Sequence, residues 1–131
     1  DLAMVAIDQE RMRLQYAGAH MPLYIVRGTE LFELKPDKFA IASFDPEGKS
    51  YTGQEFDLEK GDVIFASTDG FVDQFGGPKG KKFMRKRFRE LLKEVASEPV
   101  HLMQEALEKT FDDWLGEEDQ VDDVLVIGVR V

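Results

Sequence analysis

The chain has 131 residues, 43% of them hydrophobic, which suits one domain with a single core and argues against disorder. Its formal net charge of -9, from 26 acidic and 17 basic side chains, argues against non-specific attraction to nucleic acid or anionic lipid. The absence of cysteine excludes disulfides, thiolate metal sites and cysteine nucleophiles, and fits a reducing, cytoplasmic setting.

The first half alternates strand-like segments with turns, a pattern that predicts antiparallel pairing. Strands are expected over 1–7 (DLAMVAI), 13–19 (RLQYAGA), 22–27 (PLYIVR), 31–35 (LFELK) and 39–43 (FAIAS). A loop follows over 45–50 (DPEGKS), then strands over 54–59 (QEFDLE) and 62–68 (DVIFAST). The alternation in QEFDLE leaves one face exposed, whereas DVIFAST is nearly all apolar and so buried on both faces.

The second half changes period. Met84, Phe88, Leu91, Leu92 and Val95 recur at three and four, which predicts a helix over 81–96. Pro99 suits the first turn of a second helix, with an apolar stripe of Met103, Leu107, Phe111 and either Trp114 or Leu115 and a stop at Gly116. Both stripes read as core packing. The chain closes on 121–131 (VDDVLVIGVRV), expected to be a last buried strand. Strands, two helices and a strand make an α+β layout with helices covering sheet. No linker divides the chain, and its longest apolar runs are far shorter than the roughly 20 residues that span a bilayer.

Chemistry concentrates at two strand ends. Asp69 closes the apolar strand in "GDVIFASTDGFVDQFGG", and Asp122 with Asp123 opens the last one. In antiparallel neighbours the end of one strand lies beside the start of the other, so these carboxylates can meet at one edge of the sheet. A cluster of this kind repels itself unless a cation sits in it, and hard oxygen ligands suit magnesium, manganese or calcium. Gly70 allows close approach of backbone and ions. The competing interpretation is structural: Asp69-Gly70 as a turn and Asp122-Asp123 as a polar strand entry. The histidines, His20 and His101, are isolated in sequence and are read as packing or surface residues. Seven basic side chains between 79 and 89, Arg85 and Arg89 among them, form either a patch that steers an acidic or phosphorylated partner or a solvated helix face. The "GGPKG" segment at 76–80 is either a flap beside the site or a plain connector.

The run "GDVIFASTDGFVDQFGG" with "KKFMRKRFRELL", the ending "QVDDVLVIGVRV" and the upstream "LQYAGAHMPLYIVR" together resemble the protein phosphatase 2C superfamily, nearest to the bacterial branch typified by stage II sporulation protein E. The resemblance implies an antiparallel β-sandwich flanked by helices that hydrolyses phosphoserine or phosphothreonine in proteins with two manganese or magnesium ions. Water activated by metal, not a protein nucleophile, does the chemistry. By the same resemblance Asp69 and Asp122 are metal ligands, Asp123 is a further candidate, and Asp73 supports the ions through water. The resemblance further implies a bacterial regulatory protein as substrate, such as an anti-sigma-factor antagonist.

One family motif is missing. An earlier aspartate and glycine followed by a histidine, which supplies the ligand bridging both metals, has no counterpart in residues 1–131. With Asp1 in place of a starting methionine, this leads to the expectation that 1–131 is the later part of a phosphatase domain, cut after its first metal motif, weak in metal binding and nearly silent alone. An uncovered core face in such a piece makes a homodimer an expectation too. The alternative function is an interaction module that keeps the fold without turnover.

Overall fold

In chain order the elements are β1 (Leu2–Asp8), β2 (Arg13–Ala19), β3 (Leu23–Arg27), β4 (Glu30–Leu34), β5 (Gln54–Asp57), β6 (Val63–Ser67), α1 (Gly70–Asp73), β7 (Phe75–Gly76), β8 (Lys81–Lys82), α2 (Arg85–Ala96), α3 (Val100–Leu115) and β9 (Val126–Arg130). The computed structural model describes residues 1–41, 48 and 50–131. Hydrogen bonding sorts the longer strands into two antiparallel sheets, one ordered β1-β2-β5 and the other β4-β3-β6-β9.

Side-chain alternation along β3 and β6 explains why both are apolar throughout. Leu23, Ile25 and Ile64 point to the first sheet and join Leu14, Tyr16 and Leu58 in the core between the layers. Tyr24, Val26, Val63 and Phe65 point the other way, where Phe88, Leu91, Leu92 and Val95 of α2 and Met103 of α3 cover them. The order of layers is therefore sheet, sheet, helices, as expected of a sandwich flanked by helices.

Three local expectations need correction. The first helix begins at Arg85 rather than at 81, because Lys81 and Lys82 pair with Gly76 and Phe75 in a short hairpin. Met84 then takes φ 77° and ψ 146°, a backbone shape that no helix contains, and its side chain is exposed instead of joining the stripe. The last strand is short and lies at the sheet edge, so Ile127 and Val129 are exposed rather than buried. Of the strand expected at 39–43, residues 39–41 are irregular and 42 and 43 lie outside the described residues. The loop expected at 45–50 also lies outside them, apart from 48 and 50.

The second helix follows its signals closely. Pro99 stands at its N-cap and Gly116 ends it at φ 58°, where a Cβ would be strained. The Gly76–Gly80 segment is a connector: the Gly77 N–H donates to the Trp114 carbonyl at 2.7 Å, fixing the hairpin to the end of α3.

Candidate active site

Register places the two acidic motifs side by side. Ser67, the last residue of β6, pairs with Val126, the first of β9, so 68–70 continue alongside 122–125. Thr68 fastens the junction three times. Its N–H donates to the Leu125 carbonyl at 3.0 Å, its hydroxyl donates to the Asp123 carbonyl at 2.9 Å, and the same oxygen accepts the Leu125 N–H at 3.0 Å. Gly70 is required here, since a Cβ at this position would stand 2.4 Å from the Asp123 carbonyl oxygen. Asp69, at φ -81° and ψ -10°, turns the chain from strand into the single turn of α1, and its carbonyl accepts the Asp73 N–H at 3.0 Å.

Asp69 opens into a pocket of about 400 Å³. Ser67, Thr68 and Val72 line it with Asp69; the turn from His20 to Pro22, Tyr24, Arg85 and Asp1 complete the lining. The His20 turn is braced from both sides. The Tyr16 hydroxyl donates to the Met21 carbonyl, and the His20 N–H donates to the Asp37 carbonyl at 3.0 Å. Burial, followed by the nearby Asp37 charge, pushes the Tyr16 hydroxyl up to about 12, so it remains a proton donor at any physiological pH. His20 itself sits at φ 62° with an exposed side chain. Read from sequence as a turn residue, it is also part of the pocket. The signal available was its place in AGAHMP, between two strands that lead to the same edge as Asp69.

The remaining candidates separate. Asp122 and Asp123 adjoin the Thr68 junction but are not among the residues that line the pocket. The Asp122 carboxylate accepts the Asp123 N–H at 2.7 Å. Asp73 points to Lys82, whose ammonium lies 3.0 Å away. In the basic segment Arg87 lies over the Trp114 ring at 4.7 Å and Arg89 reaches Glu33 at 3.6 Å. Arg85 has no ion pair among the described residues and is the basic side chain that lines the pocket.

Carboxylates and a nearby backbone carbonyl are donors suited to a hard divalent cation, and Gly70 lets the two segments that carry them touch. Among the described residues, however, no three His, Cys, Asp or Glu side chains come together as a cation site. The donors fit in kind and fall short in number.

Comparison with known proteins identifies the family. A model of the family described as stage II sporulation protein E matches residues 1–131. A search of curated proteins finds no match. Among solved structures, the SiaA-PP2C domain of Pseudomonas aeruginosa is 36% identical, with a TM-score of 0.90 over 98% of this chain and 50% of that one. The phosphatase domain of the cell fate determinant SpoIIE from Bacillus subtilis is 18% identical, with a TM-score of 0.71 over 98% of this chain and 57% of that one. RsbX in complex with magnesium is 15% identical, with a TM-score of 0.60 over 96% of this chain and 53% of that one. The chain thus spans about half the length of the structures it matches. With its whole length covered by the family model and its two acidic motifs joined at one sheet edge, the chain belongs to the stage II sporulation protein E family, in the protein phosphatase 2C superfamily.

Proposed function

We propose that residues 1–131 form the later part of a metal-dependent phosphatase domain acting on phosphoserine or phosphothreonine in a regulatory protein, such as an anti-sigma-factor antagonist. The observation that carries this reading is the Thr68–Asp123 junction, which sets the Asp122-Asp123 segment alongside Asp69, itself a lining residue of the pocket. Asp69 and Asp122 would hold the ions, with Asp123 adjoining and Asp73 at the periphery. Manganese or magnesium bound there supplies Lewis acidity toward the phosphoryl oxygens and makes hydroxide available near neutral pH. The magnesium in the RsbX complex supports this choice of cation.

The protein's own contribution is placement and charge. Arg85, exposed and unpaired among the described residues, offers a cation to the phosphoryl group as it enters, while Asp69 and the His20 turn form other parts of the same wall. Arg89, held by Glu33, contributes only to the general basic field. The donor shortfall makes 1–131 alone a weak cation binder, the missing ligands coming from the motif absent in this stretch.

The test is manganese-dependent hydrolysis of a phosphoserine peptide by the intact protein, its Asp69→Asn and Arg85→Ala variants, and residues 1–131 alone. Activity in the intact protein is expected, with loss in Asp69→Asn, a raised KM that depends on salt in Arg85→Ala, and near silence in 1–131. An intact protein inactive with metal present would favour the interaction module. Full activity of 1–131 would overturn the missing-ligand argument.

A further inference from the structure

The segment from Gly116 to Leu125 carries Asp122 and Asp123 between α3 and β9 without regular structure. Such a segment keeps one shape only where other groups hold its backbone. Its beginning is fixed by α3, whose Trp114 ring N–H donates to the Gln74 carbonyl at 3.0 Å. Its end is fixed by Thr68 through Asp123 and Leu125. The middle is held from outside the segment by the side chain of Gln74, and within it the Gln120 amide donates to the Asp122 carbonyl at 2.8 Å.

Gln74 is 0% exposed. Its amide nitrogen donates to the carbonyls of Phe75 and Asp119, each at 2.9 Å, and its amide oxygen accepts the Val121 N–H at 3.3 Å. Both donor hydrogens and the acceptor are thus used, and two of the three bonds go to the acidic segment. Asp122 is bracketed: its predecessor Val121 is held by Gln74 and its successor Asp123 by Thr68. Both holding residues belong to the same short run as Asp69, so that run ties the segment to Asp69, while the Gln120 amide shapes the segment internally at the Asp122 carbonyl. No residue of similar size does the same at neutral pH. Methionine offers no donors, and glutamate would set a charge against two carbonyl oxygens.

We infer that Gln74 is a positioning residue of the acidic site, fixing where Asp122 stands relative to Asp69. The inference rests on the reading of Asp69 and Asp122 as cation-holding residues. The experiment compares the intact protein with Gln74→Met, Val121→Pro and Asp69→Asn, measuring manganese affinity by calorimetry and amide hydrogen exchange residue by residue. In Gln74→Met, exchange should quicken about tenfold or more in the 119–123 backbone while the amides of β3 stay protected, and manganese affinity should fall about tenfold or more. A lowered melting temperature with manganese affinity unchanged would mean a merely structural role and would overturn the inference. Should Gln74→Met fail to fold, Val121→Pro removes one of the same bonds from an exposed position; weakened affinity there supports the inference and unchanged affinity overturns it. Asp69→Asn separates the two levels. If it abolishes binding while the Gln74 and Val121 variants bind normally, only the positioning role falls. If Asp69→Asn itself binds normally, the cation reading fails and the inference with it.

Discussion

Met84 and Asp62 show how much single residues settle in this molecule. Met84 has a Cβ where the backbone shape favours glycine, and the carbonyl of Val72, which accepts its N–H at 2.9 Å, holds it there just before α2. Strain of this kind costs about 1–3 kcal/mol, against which glycine's added freedom in the unfolded chain weighs about 0.5–1 kcal/mol. Because the side chain is 56% exposed, little packing is lost on its removal. Met84→Gly should therefore raise stability by about 1 kcal/mol in urea unfolding.

Asp62 is 1% exposed, with the Arg27 guanidinium on both carboxylate oxygens at 2.9 and 2.7 Å and the Glu59 N–H at 2.8 Å. Burial alone would raise its pKa. The bonds from Arg27 and Glu59 outweigh that and hold it below the ordinary 3.8. A depressed carboxylate stabilises fully above the unfolded value and loses its contribution as pH falls through the folded one. Asp62→Asn should thus cost about 3 kcal/mol at pH 7, and the gap to the parent should close as pH drops below 3.8, read from urea midpoints across pH.

At the scale of elements, the junction between β6 and β9 is the feature to perturb. Thr68→Val keeps the shape of the side chain and removes both hydroxyl bonds, stranding the Asp123 carbonyl and the Leu125 N–H. A loss of about 1–3 kcal/mol is expected, together with weaker manganese binding in the intact protein, measured by thermal unfolding and calorimetry. Much of this junction was legible in advance. An apolar strand ending in Thr68-Asp69-Gly70 and another opened by Asp122-Asp123 were enough to place the carboxylates on adjacent antiparallel ends. Periodicity also located α3, since Pro99 and Gly116 mark its limits. What sequence did not yield depended on contacts distant along the chain. Lys81 and Lys82 have the composition of a helix start, yet pairing with Phe75 and Gly76 claims them. His20 joins the pocket because β3 begins beside the end of β6, bringing the turn before it to Asp69, and Gln74 takes its role from Asp119 and Val121, 45 and 47 residues away. Val126–Arg130 reads as a buried strand because its residues are apolar; only the sheet order shows that it has one neighbour.

For the whole molecule, that same edge sets the behaviour in solution. Ile127 and Val129 are exposed along β9, and on the strand's other face α3 and the sheet leave an apolar groove lined by Phe65, Met103, Leu107 and Phe111. An open, apolar strand edge is a template for pairing with another chain. Residues 1–131 produced alone should self-associate with rising concentration in light scattering, and Ile127→Lys should shift them toward monomer. Unchanged mass for both across concentration would remove the expectation. The long separation bridged by Thr68 and Asp123, 55 residues, has a kinetic consequence. The junction exists only after a large loop has closed, a step whose entropy is spent before the contact gives anything back. Asp69 and the Asp122-Asp123 segment are therefore expected to meet late on the folding path, and a ligand that grips the finished junction is expected to act after the barrier, which unfolding and refolding rates with and without manganese would test. It would lengthen the lifetime of the folded chain and leave the speed of folding as it was.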